Sequence, residues 1–206
     1  MGEKLTDLQK DSLKELGNIG AGSAATALSQ LIGKDIGMKV PDVFIIPVEK
    51  ISDYIAKDQK IVAAIYMRIF GEIKARALII LPQDKVFLLI DMIMKRQLGE
   101  TKEFGETEQS ALKEIGNIII SSYLNAIAKF IGLNSVPSVP ALAVDMVGAI
   151  FETISAELAE MGEEALLIEN DLSEEVTKLS STLFLIPDKD AMKKILDALD
   201  NAIKGI

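Results

Sequence analysis

Apolar positions along this chain switch repeatedly between a helical and a strand period, and the switches predict its elements. From Leu13 to Leu31, the residues Leu13, Leu16, Gly17, Gly20, Ala24, Ala27, Leu28 and Leu31 gather on one face of an amphipathic helix. The capping box Thr6-x-x-Gln9 marks its start and Gly33 its stop, predicting a helix from Thr6 to about Leu31. Met38–Val48 has the character of a strand around Pro41. Lys60–Ile69 and Glu72–Leu81 are rich in β-branched and apolar residues and predict a hairpin turning at Phe70-Gly71. Pro82 leads into a helix over Asp84–Leu98. The short, charged segment Gly99–Gly105 connects to a second long helix, from about Thr107 to Ile131. An amphipathic stretch near Asp145–Met161, strands at Ala165–Glu169 and Lys178–Ile186, and a helix from Lys189 onward complete the series.

The series is one unit written twice. From 11 to 33 the chain reads DSLKELGNIGAGSAATALSQLIG, and from 110 to 132 it reads SALKEIGNIIISSYLNAIAKFIG, 99 positions later. Nearer the ends, Leu78-Ile-Ile-Leu-Pro82 is answered more weakly by Leu183-Phe-Leu-Ile-Pro187. The expected organisation is one domain over 1–206, with repeat halves 1–99 and 105–206.

Duplicated core instructions explain the repeated apolar positions. They do not explain the polar ones. Asp11, Glu15, Asn18 and Pro41 stand in the frame Asp-x3-Glu-x2-Asn-x22-Pro, and Ser110, Glu114, Asn117 and Pro140 stand in Ser-x3-Glu-x2-Asn-x22-Pro. A lone Glu-x-x-Asn on a helix is ordinary solvated surface; its recurrence with fixed offsets marks a working face. Small residues surround each pair (Gly22, Ala25 and Ser29; Ser121 and Ala128), so the face is flat enough for another molecule to approach closely.

Composition removes most other chemistries. The 206 residues contain no Cys and no His, which excludes thiol nucleophiles, Ser-His-Asp triads and thiolate or imidazole metal sites. A net charge of −9 with no Lys/Arg stripe argues against nucleic acid. No run approaches the about 18 apolar residues of a membrane span, and the N-terminus lacks the features of a signal peptide, so a cytoplasmic location is expected. Gly17-Asn-Ile-Gly-Ala-Gly22 has the wrong spacing for a phosphate loop, and its second copy replaces three of these residues. Asp11 and Glu15 lie one turn apart on one helix in an aromatic-poor chain, which does not fit a glycosidase pair.

The doubled frame Asp/Ser-x3-Glu-x2-Asn-x22-Pro resembles the CheC family of chemotaxis phosphatases, a group that includes CheX and FliY. The doubled motif favours CheC over single-motif CheX, and the expected end at Ile206 leaves no room for the extra domain of FliY. The resemblance implies hydrolysis of the aspartyl phosphate of the response regulator CheY. Asn18 and Asn117 would orient the attacking water, and Glu15 and Glu114 would pair with the regulator's active-site Lys. Asp11 and Ser110 would support them. Pro41 and Pro140 would set strand geometry after each helix. No cofactor or metal of the chain's own is implied; Mg²⁺ is expected on the partner. A second partner would be the deamidase CheD, docking near Val144–Glu152 with Asp145 as a contact. The alternative is a non-catalytic adaptor that sequesters phosphorylated CheY or regulates CheD. The expected fold is α/β, a three-layer α-β sandwich with a mixed, largely antiparallel sheet, internal pseudo-two-fold duplication and two long motif helices.

Overall fold

The computed structural model describes residues 5–55, 61–161, 163–174 and 177–204. The first half runs α1 (Asp7–Ile32), β1 (Gly37–Lys39), β2 (Val43–Pro47), a 3-10 turn (Val48–Lys50), α2 (Ile51–Ile55), β3 (Ile61–Gly71), β4 (Ala75–Pro82) and α3 (Gln83–Ile93). The second runs α4 (Glu106–Ile131), β5 (Ser135–Pro137), β6 (Ala141–Met146), α5 (Val147–Met161), β7 (Glu164–Glu174), β8 (Thr177–Pro187) and α6 (Lys189–Lys204).

Local chemistry sets the helix ends. The Gln9 N–H donates to Thr6 Oγ1 and the Thr6 N–H to the Gln9 carboxamide, satisfying two donors that a helix start leaves open. Gly33 and Gly132 close α1 and α4 in the left-handed region, at φ 76° and 71°. The helix expected to reach Leu98 stops at Ile93 instead. The buried Asp91 carboxylate accepts the N–H groups of Gly99, Glu100 and Thr101, which folds the chain back under the helix end. The hairpin strand runs through Gly71, and the turn falls at 72–74; Lys60, expected to open that strand, lies outside the described residues.

The strands form one eight-stranded sheet in the order β1-β7-β8-β4-β3-β5, with β2 also on β7 and β6 also on β3. Every pairing among the described residues is antiparallel. The two halves exchange strands. β1 and β2 of the first half lie on β7 of the second, and β5 and β6 of the second lie on β3 of the first. At the centre β4 pairs with β8, with Leu78 opposite Phe184. Leu78 and Leu183, which look equivalent in sequence, face opposite sides: Leu78 packs with Phe184 and α5, Leu183 with the layer of α1 and α4.

Period-2 alternation makes both faces of the sheet apolar. Ile65, Ile79, Ile168 and Leu185 point into the core under α1, α3, α4 and α6. Val62, Ile80, Leu167 and Phe184 point the other way, against Ile51 of α2 and Val147, Ile150, Phe151 and Leu158 of α5. The result is three layers. α1 and α4 meet where Gly20 faces Tyr123: a Cβ on Gly20 would lie 2.7 Å from Tyr123 Cδ1 and 3.1 Å from its Cα. Tyr123 cannot yield, because its ring is buried and its hydroxyl donates to Asn170 Oδ1 on β7. Gly20→Val should therefore destabilise the protein by about 1–3 kcal/mol through overpacking, seen as a lower denaturant midpoint.

Candidate functional site

On α1, Asp11, Glu15, Asn18 and Gly22 form an exposed stripe, while Leu13, Leu16, Gly17, Gly20, Ala24 and Leu28 are buried. On α4, Ser110 and Glu114 are exposed, and Asn117 and Ser121 are half-buried. The buried arc of α1 is rotated from the expected one near its C-terminal end. Ala25, expected on the outer stripe, is buried at 8% exposure, and Leu31, expected inside, is 40% exposed. The cause is the chain after the helix, which returns along α1 and covers that flank. Ser29 serves this return: it accepts the Ile36 N–H at 2.9 Å and donates to Ala25 O.

The single strand expected around Pro41 is divided by a β-bulge. Lys39 pairs with Asp171 and Val43 with Ile168, so Val40, Pro41 and Asp42 stand opposite only Asn170 and Glu169. Pro cannot donate to a ladder, and a bulge is where a sheet accommodates it. The second half repeats the device. Pro137 pairs with Ile69 and Ala141 with Tyr66, leaving Ser138, Val139 and Pro140 opposite two residues of β3.

The first bulge supplies a donor to the helix face. Val40 N–H donates to Asn18 Oδ1 at 3.1 Å, while the Val40 side chain packs over Gly17. Because the group facing Asn18 is a donor, the oxygen must point inward, which leaves the Nδ2 hydrogens and an oxygen lone pair for an incoming molecule. In the first half this bond gives the 22 residues between Asn18 and Pro41 a physical meaning that the sequence alone hid. Lys10 Nζ also reaches Asp42 Oδ1 at 2.9 Å and lies 4.8 Å from the Phe44 ring centroid. Burial works to raise the Asp42 carboxyl, but Lys10 and the Val43 N–H outweigh it and hold the group below its ordinary range. Spacing could not reveal Lys10, since nothing in the repeated frame pairs it with position 42.

The second face is built differently. Among the described residues no equivalent bond joins Asn117 to Val139; Asn117 Oδ1 accepts instead from Ser121 Oγ at 3.4 Å. Val139 is 86% exposed, whereas its counterpart Val40 is 2% exposed. Ser121 stands where the first copy has Gly22. Asp145 lies apart from both faces, exposed on β6, and accepts the Met146 N–H just before α5 begins. The stretch 144–152 thus divides between an edge strand and the first turns of a helix. Among the described residues no cluster of His, Cys, Asp and Glu could hold a metal, and no helix is long and apolar enough to cross a membrane.

A sequence profile of the CheC-like family matches residues 8–45 and 108–143, which span each motif helix and the bulged strand after it. Over 199 residues the chain is 32% identical to the CheY-P phosphatase CheC of Bacillus subtilis (strain 168), covering 93% of each protein. The chain belongs to the CheC-like family. Thermotoga maritima FliY is similar in fold, with a TM-score of 0.78, 22% identity and coverage of 96% of this chain and 98% of that one. CheX of Borrelia burgdorferi, solved in a complex with CheY, BeF3 and Mg²⁺, shares the fold at a TM-score of 0.52 and 12% identity, over 82% of this chain and 96% of that one.

The two asparagines of this CheC-like chain should differ in their effect on stability. Asn18→Ala strands the N–H of buried Val40 and should cost about 1 kcal/mol. Asn117→Ala removes only a long bond to a hydroxyl and should leave the unfolding midpoint nearly unchanged. Denaturant unfolding of the two variants checks the difference.

Proposed function

We propose that this chain hydrolyses the aspartyl phosphate of a CheY-type response regulator, using the faces of α1 and α4 as two separate sites. The observation that carries the proposal is the flat Glu–Asn stripe, built twice, with Asn18 held in one orientation by the Val40 N–H. Homology to a CheY-P phosphatase over nearly the full length supports the same reading.

Phosphoryl transfer depends mainly on positioning and on stabilising charge, so the chain need contribute little chemistry of its own. Asn18 and Asn117 orient the attacking water in line with the phosphorus. A carboxamide is a poor base, but it donates and accepts hydrogen bonds at once, as orienting a water requires. Glu15 and Glu114, one turn earlier, pair with the regulator's active-site Lys and set the helix in register. Asp11 and Ser110, a further turn back, support the approach. Mg²⁺ belongs to the regulator, consistent with the CheX–CheY complex that contains it. A roughly hundredfold acceleration over self-hydrolysis needs only about 2.7 kcal/mol, within reach of one fixed amide and its anchor. Asp145, at the entrance to α5, is the contact proposed for CheD.

Phosphate release from the phosphorylated regulator tests the proposal. The wild type should accelerate release, and Asn18→Ala/Asn117→Ala should abolish the acceleration while retaining the fold and regulator binding. Acceleration unchanged in the double variant would refute the water-orienting role. Tight binding by the wild type without acceleration would instead identify a sequestering adaptor.

A further inference from the structure

We infer that Lys10 and Asp42 are positioning residues of the first site, holding the Val40–Asp42 bulge against α1 so that the Val40 N–H fixes the Asn18 carboxamide. The inference rests on the phosphatase reading above and adds to it residues outside the repeated motif.

The bulge would otherwise be poorly tethered to the helix. Its residues stand where the ladder is interrupted, and Pro41 has no N–H to give. Three contacts fasten it. At one end Val40 packs over Gly17 and donates to Asn18. At the other, the Asp42 carboxylate accepts both Lys10 Nζ and the Val43 N–H, each at 2.9 Å. On the sheet side, the Asp42 carbonyl accepts the Glu169 N–H of β7 at 3.1 Å, so the same residue is held by helix and sheet. The Lys10 ammonium is steadied in turn by the face of Phe44. Lys10 lies two turns before Asn18, so the ion pair and the amide bond grip the bulge at separate points along α1.

The second half supplies the contrast. Gln109 replaces Lys10 and Ala141 replaces Asp42, so no ion pair can form there. Val139 stands out in solvent, and Asn117 turns to Ser121. Where the clamp is missing, the bulge-to-amide bond is missing too. A half-exposed ion pair contributes little to global stability, so removing it leaves a folded protein in which only the clamp is lost.

The test uses the full-length chain carrying Asn117→Ala, so that turnover reports the first site, with a CheY-type regulator phosphorylated by a small phosphodonor as substrate. Lys10→Met and Asp42→Ala should each lower kcat about threefold to tenfold and leave KM within about twofold, the mark of lost positioning and not of lost docking. Lys10→Arg keeps the cation and should restore most of kcat. In Lys10→Met the Val40 amide hydrogen should exchange with solvent faster than in the parent. Gln109→Met, made in an Asn18→Ala parent, should leave second-site turnover unchanged. Unchanged kcat in Lys10→Met, a change confined to KM, or an equal fall with Gln109→Met would each overturn the inference while leaving the phosphatase assignment standing. An Asn117→Ala parent with no acceleration at all would remove the first site from the phosphatase reading, and the clamp with it.

Discussion

The antiparallel pairing of β4 with β8 is the contact from which the rest of the architecture is organised. It joins the halves at the centre of the sheet, with Leu78 opposite Phe184 and Ile79 opposite Leu183. Each half's outer strands then find their partner on the other half: β1 and β2 on β7, β5 and β6 on β3. Neither half can complete its own sheet. The exchange also fixes where the long helices go, because α1 leads into β1 and β2, and α4 into β5 and β6. Both helices therefore arrive on the same face and meet at Gly20 and Tyr123, where the absence of one Cβ lets the backbones approach.

The bulges link this scaffold to the helix faces. A continuous edge strand would send alternate N–H groups to its neighbour and the others away from it. Inserting one residue, with Pro41 inside it, shifts that alternation and leaves a backbone donor beside α1. In the first half that donor is Val40 N–H and its acceptor is Asn18, so a sheet irregularity orients a helix side chain. In the first half, Pro41 and Asn18 are thus two ends of one device; among the described residues, the second half keeps the bulge without the bond.

Much of this was legible in the residues, for identifiable reasons. Thr6, Gln9 and Gly33 specify helix ends through local bonds alone, and they appear where expected. The repeated Glu–Asn frame pointed to an outward stripe, and Glu15, Asn18 and Glu114 are exposed. What could not be read depends on contacts distant in sequence. Ala25 is buried because the returning chain covers its flank, and no periodicity encodes a neighbour. Leu98 lies beyond its helix because the Asp91 carboxylate captures three N–H groups from a loop eight to ten residues later. The match of Leu78 with Leu183 set side by side residues that face opposite ways: a one-residue offset between the copies moves a strand residue to the other face of the sheet.

Charge does different work in the scaffold and at the proposed sites. Burial opposes ionisation of Asp91, yet Thr101 and the loop N–H groups hold its carboxyl below the ordinary range. Glu157 is likewise pushed up by burial but held down by Arg68, Tyr66 and Arg76. For a carboxylate whose folded pKa is depressed, stability is present above the unfolded value and is lost as pH falls through the folded one. The acid limit of the fold therefore lies in and below the carboxylate range. The groups proposed to orient water have no such limit, since a carboxamide neither gains nor loses a proton across that range. A chain without His has no side chain whose ordinary pKa lies between pH 5 and 8. On the proposed mechanism, any pH dependence of turnover near neutrality then belongs to the phosphorylated regulator, and this chain offers it the same amide throughout.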